Sequence, residues 1–289
     1  MPENAIVERI LMRVGELPAM PDVVSEVLRL TDDTSADMDQ VSAAIQADPA
    51  LTAKMLRVAN SSYYGMKQYV GTLKLALVIL GVREVRNIVL GISVFESLKG
   101  EGVAAEVAGK IWDRSLEIGG VAKGLGANMG LGLQGEEFIS GLLSDIGRMV
   151  LIRELGEEYV EMLSRLGDDP LALCDAELEE VGCTHADLAM ALAASWSLPE
   201  GLTDALWYQY PDPDRPLKNA ADPQLAAVLR IAKFAVLDDF SALEKVVALK
   251  AAEAWNLLAD TKNPISEDRR FEVLKGYIEE VRNAPSISL

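Results

Sequence analysis

The chain has 289 residues, half of them hydrophobic and a quarter charged, and its 45 acidic against 27 basic side chains give a formal charge of −18. That balance repels a phosphate backbone and argues against general nucleic-acid binding, while leaving room for a local basic pocket that takes a small anion. The length allows one or two domains, and abundant Ala, Leu and Glu with few aromatics favour helices.

The spacing predicts a short amphipathic helix over residues 4–14. Leu17-Pro18-Ala19-Met20-Pro21 holds the chain extended. Asp22 can cap a helix to about Leu30, Asp32 to Ser35 reads as a loop, and Asp37 to Ala47 reads as a helix with Val41, Ala44 and Ile45 on one face. Asp48-Pro49 is an N-cap followed by proline at the first helical position. It opens a helix carrying Leu51, Met55, Val58 and Ala59, which ends near Asn60-Ser61-Ser62. Tyr63-Tyr64-Gly65 follows as a turn. Thr72 opens a helix to Leu80, Gly81 interrupts, and Val82 to Leu98 continues. No stretch shows the period-two alternation of a strand.

Lys99 to Gly102 reads as a hinge between helical lobes. Residues 103–128 form a long helix with Ile111, Ser115, Ile118, Ala122 and Leu125 on one face. Glycines between 119 and 135 permit close packing. One continuous helix is expected from Glu136 to Leu155, then helices over Glu157–Leu166, Pro170–Val181 and His185–Ser197. Trp196, Leu198 and Pro199 make a turn before a helix to Trp207. Tyr210 to Pro223 is a loop rich in Pro and Asp, and Gln224 to Leu237 is helical. Helices near 242–258 and 266–282 close the chain, the last with Phe271, Leu274, Ile278 and Val281 as its stripe. The expected fold is all-α: an N-terminal lobe over 1–100, a second lobe over 101–240, and C-terminal helices over 241–289 that complete or extend it.

Within Phe138 to Ile152 the apolar run covers every side of a helical wheel, which marks a buried helix. Asp145 stands in the middle of it. A buried carboxylate must be paired, ligated or protonated. Glu3, Glu8, Arg9 and Arg13 interrupt any apolar leader core, and no apolar run reaches the ~18 residues of a membrane span. Cys174 and Cys183 form no CxxC pair and read as free thiols of a reducing compartment. The expectation is a cytoplasmic protein that engages neither membrane nor nucleic acid.

Gly141-Leu142-Leu143-Ser144-Asp145-Ile146-Gly147 resembles the Gly-Leu-Leu-His-Asp-Ile-Gly helix of the HD phosphohydrolase superfamily, with Ser144 in place of the histidine. Leu17 to Pro21, Asp48-Pro49-Ala50-Leu51, Asn60 to Gly65 and Ala76 to Gly81 are similar, in order, to the HDOD domain, the HD-related output domain of bacterial signalling proteins. This resemblance covers roughly residues 10–240. It implies an all-helical, regulatory module with a degenerate HD site.

A working HD site gathers His and Asp around one or two divalent metals that activate water. The resemblance places Arg114 where the family usually has His, Ser144 on the His of the His-Asp pair and Asp145 on its Asp. His185 matches a His before the Trp-x-Leu-Pro turn, Gln209 and Tyr210 fall near a His-His pair, and Lys233 falls close to the final Asp. His185 is the chain's one histidine, too few for a His-rich metal site. The two swaps to cations, Arg114 and Lys233, point to a pocket in which either or both neutralise Asp145 without a metal; the alternative for each is a solvated helix edge. No catalytic residue, metal or cofactor is expected. No GxSxG elbow, phosphate loop or HExxH occurs.

Arg83 and Arg86 read either as an acid-binding face or as a solvated one salted by Glu84. Tyr63, Tyr64 and Tyr69 read either as a partner surface or as core. The leading function is a non-catalytic signalling module acting through a protein partner. The alternatives are a residual metal-dependent phosphohydrolase acting on a cyclic dinucleotide or other nucleotide, and a sensor of a small anionic ligand.

Overall fold

The apolar face expected along 103–128 is the axis on which the rest of the molecule is built. The structure is a computed structural model describing residues 5–13, 22–32, 38–61, 64, 69–133, 135–167, 169–236 and 251–283. Every α- and 3-10 element among them is helical and no strand occurs among the described residues, which is the all-α fold expected. The Leu17–Pro21 motif, the loop at 33–35, the turn residues Tyr63 and Gly65, and residues 242–250 of the helix near 242–258 lie outside them.

The first six helices are α1 Ala5–Arg13, α2 Asp22–Asp32, α3 Met38–Gln46, α4 Pro49–Ala59, α5 Leu73–Leu80 and α6 Val82–Leu98. Asp48 caps α4, its carboxylate accepting the N–H groups of Ala50 and Leu51 at 2.9 and 3.0 Å. Thr72 caps α5 by accepting the Leu75 N–H at 3.2 Å. Gly81 separates α5 from α6 at φ +87°, a left-handed value that glycine adopts without a Cβ penalty. Helix α6 then passes through the interior, against α2 and α4 on one side and the helices of the second half on the other.

Helix α7 (Val103–Met129) packs along α8 (Glu136–Leu143), α14 (Pro223–Ala235) and the C-terminal helix Glu267–Arg282. Its predicted face of Ile111, Ser115, Ile118, Ala122 and Leu125 is buried. The crossing with α8 is set by two glycines. A Cβ on Gly119 would lie 2.8 Å from the Phe138 carbonyl oxygen, and one on Gly141 would run into the Gly119 backbone. The chain continues through α9 Ile146–Leu155, α10 Glu157–Leu166, α11 Pro170–Glu180, α12 His185–Ser195 and α13 Glu200–Trp207. No described helix is long and apolar enough to cross a membrane.

Two expectations are corrected. The helix expected from Glu136 to Leu155 breaks at Ser144 and Asp145 into α8 and α9. Ser144 donates both its N–H and its Oγ–H to the Gly141 carbonyl, at 3.2 and 2.8 Å, and the Arg148 N–H goes back only three residues to Asp145 at 3.0 Å. These i→i−3 bonds tighten the turn, and Asp145 leaves helical geometry at φ −107°, ψ 11°. The second concerns Glu84. It is buried rather than on a solvated face beside Arg83 and Arg86, and it meets Lys123 of α7 at 2.8 Å. The loop after Tyr210 also holds a 3-10 turn at Leu217–Asn219, and α14 starts at Pro223, capped by Asp222.

Candidate functional site

The break between α8 and α9 aims the Asp145 carboxylate into a space enclosed by α11, α12, α14 and the segment after α13. Gly147 makes this possible, since any side chain there would collide with the His185 carbonyl at the start of α12. Asp145 is fully buried. Its Oδ1 meets the Lys233 ammonium at 2.7 Å, the Arg148 Nε at 2.9 Å and the His185 Nε2 at 3.8 Å. Its Oδ2 is buried with no hydrogen-bond partner among the described residues. Burial alone would raise this carboxyl's pKa, but Arg148 and Lys233, with smaller contributions from His185 and Arg114, hold it far below the usual carboxylate range. Burial pushes Lys233 down to about 8 against the pull of Asp145, which leaves the ammonium charged at neutral pH. Burial works against the Arg148 charge too, and Asp145 more than offsets it.

A second network lies behind the first. The backbone N–H of His185 donates to Glu177 Oε2 at 2.8 Å, and its Nδ1 lies 2.9 and 2.8 Å from the two Glu177 oxygens. Tyr159 donates its hydroxyl to the same carboxylate at 2.5 Å. His185 Nε2 stands 2.9 Å from the Tyr210 hydroxyl. A carboxylate accepts only, so Nδ1 carries the proton and Nε2 accepts from Tyr210. Burial lowers the His185 pKa despite Glu177. Burial would raise that of Glu177, yet His185 and Tyr159 bring it below its ordinary value. The imidazole is therefore neutral and held in one tautomer.

Gln209 and Tyr210 reach the site because Arg230 fixes their backbone. Its guanidinium donates to the Tyr208 carbonyl at 3.0 and 2.7 Å and to the Tyr210 carbonyl at 2.8 Å. Gln209 donates to the Ser144 carbonyl at 3.1 Å, while its Oε1 is buried with no partner among the described residues. Lys233 also lies 3.5 Å from the Ser144 hydroxyl. Arg230 and Lys233 sit three apart on α14, so one helix face orders the 208–210 segment and supplies the central cation.

A metal of the kind an HD site holds does not fit this arrangement. Asp145 Oδ1 is held by an ammonium and a guanidinium, whose two positive charges would repel a cation at the remaining Oδ2, and Ser144 is a poor ligand whose hydroxyl is turned back to Gly141. A second set of donors, Cys174 Sγ, Glu177 and His185, lies within 4.8 Å of one another. Glu177 and His185 already satisfy each other, and burial beside Glu177 raises the Cys174 pKa strongly, favouring the thiol over the thiolate a metal requires. Both cysteines are free, as expected.

Six of the seven residues placed on the HD pattern thus meet: Ser144, Asp145, His185, Gln209, Tyr210 and Lys233. Arg114 stands half-buried on α7, on the wall of an adjoining cavity of about 490 Å³ that Arg148 also lines. Three contributors escape the sequence reading. Arg148 has a legible signal, since it lies three residues after Asp145 in the same motif. Glu177 and Tyr159 have none, because nothing in their spacing ties them to His185. Among the other expectations, Tyr64 is buried under the Lys123 ammonium at 3.7 Å from its ring centroid, and Tyr69 is exposed.

The chain matches the HDOD domain family over residues 17–211, more than half its length, and belongs to that family. An HDOD domain protein of unknown function from Geobacter sulfurreducens superposes with a TM-score of 0.74 at 21% identity, covering 96% of this chain and 95% of that one. A candidate phosphohydrolase from Shewanella amazonensis superposes at 0.67 and 24% identity, covering 94% and 97%. An uncharacterised protein of Treponema pallidum is 25% identical over 211 residues, which is 71% of this chain and only 39% of that relative.

Proposed function

We propose that this chain is a regulatory HDOD module that turns over no substrate and acts through a protein partner. One observation carries the reading: the Lys233 ammonium sits 2.7 Å from Asp145 Oδ1, where a catalytic metal would have to bind. Charge neutralisation that the metal supplies in an HD enzyme is supplied here by two side chains, and neither can lower the pKa of a bound water. The exposed apolar side chains of α5, Leu75, Val78 and Ile79, with Tyr69 beside them in sequence, are a surface a partner could use.

The test is to load the purified protein with manganese, iron or zinc, remove the excess, and measure both bound metal and phosphate release from nucleotides and cyclic dinucleotides. The expected result is no stoichiometric metal that depends on Asp145 and no turnover. Stoichiometric metal lost on Asp145→Ala, accompanied by turnover, would replace this reading with the phosphohydrolase named for the Shewanella relative.

A further inference from the structure

We propose that the cavity bounded by α7, α10 and the C-terminal helix is a receptor site for a small phosphate-bearing molecule, with the Arg148 guanidinium at its inner end. The inference deepens the regulatory reading and rests on it, since it makes the inherited pocket a place to bind rather than to react. Four cations line this cavity, Lys110, Arg114, Arg148 and Arg282, against two acids, Asp113 and Glu117. Glu117 is engaged by Arg282 at 3.1 Å. A net positive cavity stands out in a chain of charge −18, because the surrounding negative field would repel an anion from almost any other surface.

Arg148 points to a ligand independently of that count. It is only 7% exposed and lines the cavity, so its remaining exposure opens there. Its buried Nε has no hydrogen-bond partner among the described residues, although it lies 2.9 Å from Asp145 Oδ1. That Nε is turned toward Asp145, and a guanidinium offers further N–H donors that an incoming oxyanion on the cavity side would satisfy. Three guanidinium groups on one cavity, Arg114, Arg148 and Arg282, favour the several oxygens of a phosphate over the planar pair of a carboxylate. At about 490 Å³ the space exceeds an inorganic ion, and Val107, Ile111, Leu163 and Val236 give it an apolar side. The matching ligand is a phosphomonoester with a flat organic body, of nucleotide size.

Binding would also report to the core. Arg148 is shared: its inner side neutralises Asp145 and its outer side would meet the ligand. An anion drawing on Arg148 leaves Asp145 to Lys233 and loosens the contact that spans the α8–α9 turn. The ligand therefore has a differential interaction with the two arrangements, which a signalling role requires.

The experiment is calorimetric titration of the intact chain with AMP, inorganic phosphate and citrate at matched ionic strength, with free phosphate assayed in the AMP sample. AMP is expected to bind more tightly than phosphate and citrate. Lys110→Glu, an exposed rim change that does not threaten folding, and Arg148→Met should each weaken AMP by about tenfold or more. No binding of AMP by the folded protein at about 10 mM would overturn the proposal, as would binding that ignores both substitutions. Citrate matching AMP would overturn the phosphate assignment. Phosphate release from AMP would sink the non-catalytic reading while leaving the receptor site standing, so the two failures can be told apart.

Discussion

Two buried charge clusters hold this molecule, and they obey different rules. One surrounds Asp145, with Lys233, Arg148, His185 and Glu177 almost entirely enclosed. The other joins α6 to α7 and α8: Glu84 meets Lys123 at 2.8 Å, Asn87 donates to the Gly135 carbonyl at 3.2 Å, and Glu137 accepts the Gly135 N–H at 3.1 Å. In the second cluster Lys123 keeps partial contact with solvent, and burial with the nearby Glu84 raises the Glu137 pKa. In the first, both carboxylates are lowered by their partners. The signs have opposite consequences. Asp145 and Glu177 contribute stability that is present above the unfolded carboxylate pKa and lost as pH falls. Glu137 contributes stability that is present in acid and lost as pH rises through its folded pKa. The Asp145 cluster is thus matched to neutral pH and also leaves Asp145 Oδ2, Arg148 Nε and Gln209 Oε1 without hydrogen-bond partners among the described residues. The α6–α7–α8 cluster behaves as a strut.

The largest expected effect breaks the enclosed cluster from one side. Asp145→Ala strands Lys233 and Arg148 together in the interior, and should cost about 3–5 kcal/mol in denaturant melts. Asp145→Leu combined with Lys233→Met removes the closest pair and strands only Arg148, so it should lose clearly less than Asp145→Ala alone. If the double variant is the worse of the two, the ion pair contributes net stability rather than marking a retained site. Gly147→Ala comes next. Its methyl meets the His185 backbone carbonyl, which cannot rotate away, so a loss toward the upper end of the ~1–3 kcal/mol of overpacking is expected. The same change at half-buried Gly109 meets nothing within 4 Å and serves as the control.

Much of this was readable from the residues. Periodicity and caps placed α3 to α7 within a residue or two, because Asp48-Pro49, Thr72 and Gly81 act through local chemistry. Six of the site positions that come together were placed by the resemblance to the HD pattern, not by periodicity or spacing. The continuous helix across 144–145 was misread for a physical reason. Every side chain from Phe138 to Ile152 except Asp145 and a few small or basic residues suits a buried helix, and the break depends on Ser144 bonding back to Gly141. Glu84 was misread because an acid beside two arginines looks solvated, while its actual partner Lys123 lies 39 positions away. Glu177 likewise meets His185 and Tyr159 only through tertiary packing, which leaves no pattern in the sequence.

The single histidine turns the comparison into a pH measurement. His185 is neutral when folded, with its pKa lowered by burial. The unfolded chain takes up a proton below about 6.5 and the folded chain does not, so this group's stability is full above that value and lost as pH falls toward the folded pKa. Denaturant melts between pH 7.5 and 5.5 should show stability falling by up to about 1.4 kcal/mol per unit from this group. His185→Gln should flatten the dependence in that window whatever it does to absolute stability. An unchanged slope would mean that the imidazole is protonated in the fold.

The smallest effect probes the strut. Lys123→Met keeps the apolar stem that packs beside Tyr64 and Phe138 but removes the ammonium from Glu84. Because Lys123 is 28% exposed, water can partly replace it. The expected loss is about 1 kcal/mol, near that of an ordinary hydrogen bond, against several for Asp145→Ala. A loss as large as that at Asp145 would show that water does not reach this cluster. Glu84 and Lys123 would then be as enclosed as Asp145 and Lys233, and the division into a site and a strut would have to be drawn elsewhere.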